Sequence, residues 1–317
     1  MTLRVRLAVD SDDEMAAIAT LVNAVAPEEP TSVAAMRWGE TTYPGGARWV
    51  AERDGAIVGA ADVGRIYMYA PDFDAYWATV RVSANERRQG IGGALLGRVQ
   101  GHARAAGKTH LHVPTNEARP DGIAFLAHRG FEEYERSKSV RLDLAGMIPP
   151  TVTVPDGITI TSLADRPDLV TGVHAVALEA FEDIPGGDRP MDVGDLAEFR
   201  LRDVDRDEIP AEAFTIAVDD TDGTVVGYAV LSLLPDPATA AWHDMTAVRR
   251  AARGRGVASA LKRTTVGWAI RNGLDTLATS NDVDNAPMRA VNERLGYRPL
   301  PDEVTMRGPV GDGIIDL

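Results

Sequence analysis

The stretch Ala247-Val-Arg-Arg-Ala-Ala-Arg-Gly-Arg-Gly-Val-Ala-Ser-Ala-Leu-Lys262 reads as the end of an apolar strand, a basic glycine-rich turn and the first turns of an amphipathic helix. In such a turn several backbone N–H groups converge on one point. The helix start adds its positive dipole end and the arginines add full charge. Side chains would hold an anion away from the backbone, so glycine is required. The predicted result is a cradle for a pyrophosphate. The same order of parts occurs in Arg81-Val-Ser-Ala-Asn-Glu-Arg-Arg-Gln-Gly-Ile-Gly-Gly-Ala-Leu-Leu96. One glycine-rich turn can cap a helix without binding anything; two in matching contexts point to ligand.

The two copies are in register. Gly90 and Gly256 stand 166 residues apart (256 − 90), and Leu95/Leu261, Gly107/Gly273, Gly130/Gly296 and Phe131/Tyr297 keep that offset. The hairpin glycines Gly55 and Gly223 differ by 168, and Asp10 and Asp165 by 155, so the second copy is longer ahead of its cradle. This is one domain duplicated. Each copy reads as strand, helices, a hairpin on Asp54-Gly55 or Asp222-Gly223, a strand entering the cradle, the cradle helix, a strand, a helix and a closing pair of strands. Helices are expected at 14–25, 32–39, 92–106 and 121–129, then at 168–181, 191–202, 258–272 and 287–295. Pro149, Pro150 and Pro155 mark a linker. The predicted division is a first domain at 1–145, a linker at 146–157 and a second domain at 158–317.

Composition narrows the classes. The chain has 317 residues, no cysteine and a formal net charge of −14. Thiolate metal sites and a cysteine nucleophile are excluded. The acidity argues against nucleic acid or an anionic membrane as main partner. No apolar run approaches the ~20 residues of a membrane span, and the N-terminus has no signal-peptide block, so a cytoplasmic location is expected. Gly254-x-Gly256-x-x-Ser259 approaches a dinucleotide fingerprint but lacks its third glycine, and the acidic Asp275 precedes its strand instead of ending it.

The residues resemble the GNAT N-acetyltransferases over nearly the whole chain. That family's Arg/Gln-x-x-Gly-x-Gly/Ala signature is matched by Arg87-Arg88-Gln89-Gly90-Ile91-Gly92 and by Arg253-Gly254-Arg255-Gly256-Val257-Ala258. Its Asn-rich segment before a helix ending in Leu-Gly-Phe/Tyr is matched by Asn281, Asn285, Met288, Asn292 and Leu295-Gly296-Tyr297; the first copy keeps only Arg129-Gly130-Phe131. The tandem arrangement is similar to that of mycothiol synthases. The resemblance implies an α/β (α+β) fold of two GNAT domains, each a mixed, mostly antiparallel sheet flanked by helices and splayed between its fourth and fifth strands. It implies acetyl-CoA in the splay. Its contacts would be Met245, Ala247, Val248, Arg253 to Ala258, Asn281 and Asn285 in the second copy, and Val82 with Arg87, Arg88, Gln89, Gly90, Ile91 and Gly92 in the first. No metal is implied. It implies acetyl transfer directly to an amine.

Such transfer needs a base for the amine proton and a donor for the departing thiolate. The family's usual donor is a tyrosine five residues before the Leu-Gly-Phe aromatic; here those positions are Leu126 and Asn292. Asn292 can polarise a water but cannot donate as a tyrosine would. In Trp242-His243-Asp244-Met245-Thr246 strand alternation puts Asp244 and Thr246 on one face with Val248, and His243 on the other. Asp244 is the first candidate base and His243 the second. The matching strand Tyr76-Trp77-Ala78-Thr79-Val80 has neither carboxylate nor imidazole.

Between Glu182 and Glu208 ten acidic residues (Glu182, Asp183, Asp188, Asp192, Asp195, Glu198, Asp203, Asp205, Asp207, Glu208) face four arginines (Arg189, Arg200, Arg202, Arg206). They form either a solvated face or an attraction for a cationic small molecule. The expected activity is therefore acetylation of a small-molecule primary amine by the second copy. The first copy binds cofactor without turnover or braces the second. A peptide N-acetyltransferase and a non-catalytic acetyl-CoA module stay open, as do monomer and homodimer.

Overall fold

The computed structural model describes residues 3–184, 191–235 and 237–311. Two compact units divide the chain: residues 1–136 with 303–317, and residues 137–302.

The first unit contains β1 (Leu3–Leu7), α1 (Asp12–Val25), α2 (Val33–Thr42), β2 (Ala47–Arg53), β3 (Ala56–Arg65), β4 (Ala75–Val82), α3 (Ile91–Ala105), β5 (His110–Asn116) and α4 (Pro120–Ala127). β6 (Glu132–Asp143) starts in it and continues into the second unit. That unit holds β7 (Ile158–Ser162), α5 (Val170–Phe181), α6 (Leu196–Asp203), β8 (Thr215–Asp219), β9 (Val225–Leu233), β10 (Ala240–Val248), α7 (Val257–Arg271), β11 (Thr276–Asp282), α8 (Ala286–Leu295) and β12 (Arg298–Pro299). The last strand, β13 (Glu303–Pro309), belongs to the first unit.

Local chemistry explains these boundaries. Ser11 and Ser32 accept the N–H groups of Glu14 and Ala35 and so start α1 and α2. Asp54 and Gly55 both take positive φ (51° and 82°), the twist a two-residue hairpin needs. Within each unit β1–β4 or β7–β10 pair antiparallel, while β4 with β5 and β10 with β11 run parallel. α3 packs on its sheet through Leu95, Leu96, Val99 and Ala103, and α7 through Leu261, Val266 and Ala269.

The closing strands depart from the expected arrangement. The first copy does not close with a pair of strands of its own: Glu132–Asp143 is one unbroken strand of 12 residues. Its sequence holds no glycine, proline or asparagine to reverse it. It runs on and pairs antiparallel with β11, from Ser137↔Asp282 to Asp143↔Thr276. In the second copy Pro299 and Pro301 end the two-residue β12, and the chain goes on as β13 to pair with β5, from Glu303↔Asn116 to Pro309↔His110. The two copies have exchanged closing strands. The unit boundaries therefore fall at 136/137 and 302/303, and the proline-rich 146–157 lies inside the second unit.

Candidate active site

The cradles have one backbone geometry in both copies. After β10, Arg249 stands at φ −51°, ψ 142°; after the 3-10 turn Arg250–Ala252, Arg253 stands at φ −67°, ψ 157°. After β4 the counterparts are Ser83 at −47°, 138° and Arg87 at −69°, 161° around Ala84–Glu86. Gly254 (φ 74°) matches Arg88 (φ 63°), and Gly256 (φ 91°) matches Gly90 (φ 83°). A Cβ on Gly254 would touch nothing, and one on Gly256 only Pro155 at 4.0 Å, so positive φ and access, not crowding, call for glycine. Each helix closes its first bond from the fourth residue, Ala94 to Gly90 and Ala260 to Gly256. The N–H groups of Ile91, Gly92 and Gly93, and of Val257, Ala258 and Ser259, are left directed outward. These donors fit an anion such as a pyrophosphate. A Cβ on Gly92 would meet Phe125 of α4 at 3.4 Å, in van der Waals contact.

The cradle arginines partly hold the loop itself. Arg253 Nε donates to Val248 O at 3.0 Å and Arg87 Nε to Val82 O at 3.2 Å. Arg253 also pairs with Asp183 at 2.7 Å, and Arg250 with Glu182 and Asp183; these arginines hold the Asp183 carboxyl well below its usual range, to about 2. Arg255 donates to Asp156 O at 3.3 Å. In the first copy Gln89 accepts from Arg53 at 2.7 Å, and Arg88 is exposed.

Each cradle is preceded by a splay. β10 pairs with β11 only over Ala240–Trp242, and β4 with β5 only over Ala75–Trp77. Beyond, the strands diverge and leave a cleft leading to the cradle. Along it the copies differ. β10 carries a bulge between His243 and Thr246, where its register against β9 slips; β4 pairs with β3 without interruption. Cross-strand partners show the faces: His243 opposite Leu231, Thr246 opposite Ala229 and Val248 opposite Gly227 all lie on one side. The expected alternation is overturned here, because the bulge adds one residue. Asp244 lies on the other face, where it accepts a hydrogen bond from Ser232. The extra residue also realigns the copies, and His243 corresponds to Ala78, which sits opposite Val63 as His243 sits opposite Leu231.

Asp244 lies at the apex of the splay. Burial raises its carboxyl to about 6 against the opposing pull of Ser232 and Arg206, with Asp203 and Glu208 adding to the rise. Much of the acidic run around it is tied up: Arg202 pairs with Asp203, Arg200 with Asp205 and Arg206 with Glu208. Asp188 and Arg189 lie outside the described residues.

His243 is fully buried on the opposite face. Thr265 donates its hydroxyl hydrogen to Lys262 O at 2.9 Å, so it accepts from His243 Nε2 at 3.1 Å; Nδ1 then accepts from Tyr297 Oη at 3.0 Å. Both nitrogens are engaged, and burial holds the imidazole well below its ordinary pKa. This geometry leaves Asp244 as the base candidate and gives His243 a structural place. Thr279 Oγ1 donates to His243 O at 2.8 Å. Asn292, 2 % exposed, donates Nδ2 to Asn281 Oδ1 at 2.7 Å, while its own Oδ1 has no partner among the described residues. Asn285 caps α8 through the Met288 N–H at 3.3 Å. Met245 falls in the bulge, Ala247 lies opposite Tyr228, and Val248 packs with Leu261 of α7.

The structure adds residues that the sequence reading missed: Ser232, Lys262, Thr265, Thr279 and the hydroxyl of Tyr297. A signal existed. At the 166 offset Leu96 corresponds to Lys262, Val99 to Thr265, Val113 to Thr279 and Leu126 to Asn292, so these buried positions turn polar in one copy only.

Comparison with known proteins agrees with this architecture. No curated protein matches the chain. The tandem GNAT protein of the clavulanic acid biosynthesis pathway superposes with a TM-score of 0.78 at 22 % identity, covering 98 % of this chain and 100 % of that one. A GCN5-related N-acetyltransferase from Sphaerobacter thermophilus gives 0.73 at 20 %, covering 99 % and 98 %. A putative acetyltransferase from Pyrococcus horikoshii gives 0.58 at 15 %, covering 98 % and 90 %. At these identities the likeness is one of fold. The model of the GNAT acetyltransferase family matches residues 14–131 and again 178–297, and the chain belongs to that family.

Proposed function

We propose that the unit 137–302 transfers an acetyl group from acetyl-CoA directly to the primary amine of a small molecule, with Asp244 as general base. The observation that carries this reading is the bulge of β10. It puts a carboxylate whose pKa is raised to about 6 at the apex of a splay that ends in an anion cradle. An amine must lose a proton to attack, and a base of this strength is ionised yet still proton-seeking near neutral pH. Ser232 orients the carboxylate. The bulge also leaves backbone at Asp244 and Met245 out of the ladder with β9, where a donor can polarise a thioester carbonyl. Because Asp203 and Glu208, the carboxylates that act on Asp244, are paired with arginines, the acceptor that fits best is a single cationic amine rather than a polyamine.

The reading is tested by release of CoA thiol from acetyl-CoA over a panel of small amines and a peptide library. Turnover of small amines that is lost in Asp244→Asn supports it. Turnover of peptides alone makes the protein a peptide acetyltransferase, and cofactor binding without thiol release makes it a binding module.

A further inference from the structure

Acyl transfer leaves a thiolate that must be protonated, and the residue in the family's donor position cannot do it. Asn292 has no acidic proton and has given its N–H to Asn281. A different group stands nearby. The sequence holds three lysines: Lys108, Lys138 and Lys262. Lys108 donates to Phe73 O and Lys138 pairs with Asp302. Lys262 is 1 % exposed, and among the described residues no hydrogen bond or ion pair engages its Nζ. The titratable groups facing it are His243 of β10 and Tyr297 after α8, whose ring centroid lies 5.6 Å from Nζ. A buried amine that meets a ring but no carboxylate or hydrogen-bond acceptor is costly, and the fold does not require it, since the first copy carries the buried Leu96 at the matching place.

Lys262 also lies between the cradle and the apex of the splay. It is the sixth residue of α7, whose N-terminus forms the cradle, and one turn before Thr265, which touches His243 at the apex. It is thus on the path from pyrophosphate to bulge, and on the opposite face of β10 from Asp244.

We infer that Lys262 gives its proton to the departing thiolate. The N–H bond of the ammonium breaks as the S–H bond forms, leaving a neutral amine. The proton that Asp244 takes from the acceptor passes to solvent, and Lys262 is recharged from solvent after release. Burial lowers the ammonium to about 7, so it is acidic enough for this and still charged in part at neutrality.

The inference rests on the acyl-transfer reading, and the test separates the two. Selective 13C labelling at lysine Cε gives three resonances in the ligand-free protein; the one missing from Lys262→Leu should titrate near 7. That variant, which takes the residue of the first copy, should bind acetyl-CoA as the wild type does by calorimetry. Its kcat should fall about 100-fold, and the fall in rate above pH 7 should disappear from its profile. A Lys262 resonance titrating only near the ordinary value of about 10.4 overturns the inference. So does unchanged kcat, or an unchanged pH profile in Lys262→Leu. Absence of both acetyl-CoA binding and thiol release in the wild type would instead overturn the acyl-transfer reading.

Discussion

The two halves of this chain build the same cleft and fill its floor with opposite chemistry. Beneath the splay of the first unit lie Ala78, Leu96, Val99, Val113, Leu126 and Phe131, all in one apolar cluster. In the second unit the same places hold His243, Lys262, Thr265, Thr279, Asn292 and Tyr297, with Tyr297, Thr265 and Thr279 hydrogen-bonded to His243. The dihedrals flanking the two 3-10 turns agree within a few degrees, and Gly90 and Gly256 are both left-handed. The fold therefore needs neither the polar floor nor the bulge, and the first unit is an internal control for what the second unit adds. What it adds is a carboxylate on one face of β10 and an amine on the other.

The comparison breaks most visibly at the cradles. Gly256→Glu puts bulk, an unfavourable positive φ and a like charge at the anion position; acetyl-CoA binding should fall about 1,000-fold there, some 4 kcal/mol. Calorimetry on this variant and on Gly90→Glu decides whether one unit or both bind. If only Gly90→Glu abolishes binding, the assignment of the active half is reversed.

Next, Asp244→Asn should lower kcat about 100- to 10,000-fold and remove the rise in rate through pH 6. It should also alter stability. The folded pKa lies above the ordinary 3.8, so the cost of the ionised carboxylate is complete above pH 6 and gone below 3.8. The variant should melt higher than wild type at pH 8 and no higher at pH 3.5. A lower melting temperature at pH 8 would mean that the carboxylate is stabilised rather than strained.

A smaller effect sharpens the contrast between the two floors. Lys262 has a folded pKa of about 7 against an ordinary 10.5, so its cost is complete below pH 7 and disappears as pH rises through 10.5. Lys262→Leu should stabilise the protein by about 2 kcal/mol at pH 7. The advantage should shrink by pH 10, as read from paired denaturant titrations. A constant difference across that range would mean the effect is packing alone.

The smallest test concerns Arg88, held at φ 63° where the other cradle has Gly254. Arg88→Gly should stabilise by about 1 kcal/mol, and Gly254→Arg should destabilise by about as much, in chemical denaturation. Equal stability in both variants would mean the positive φ carries no strain in this loop.

Much of this is legible in the sequence. The duplication, the Asp-Gly hairpins and the glycine at each cradle's helix start, Gly90 and Gly256, follow from residues that act locally, glycine standing where φ is positive. Asn281, Asn285 and Asn292 were legible as a set, though not that Asn292 would spend its N–H on Asn281. The alternation along 242–248 failed because a bulge has no local signature, and one inserted residue reverses a face. The closing strands failed for a related reason. Nothing inside Glu132–Asp143 tells that strand to turn, and its partner is chosen by which sheet edge is open.

The sequence by itself determined that there are two such domains, where each glycine-rich turn and its helix lie and that Asp244 is a candidate base, because these depend on neighbours a few residues apart. Only the tertiary structure decided which closing strand completes which sheet, which face of β10 carries Asp244, and that His243, Lys262 and Tyr297 share one buried site. Those choices depend on pairing register and on residues 19 to 54 positions apart in the chain (262 − 243 and 297 − 243), whose meeting no local propensity encodes.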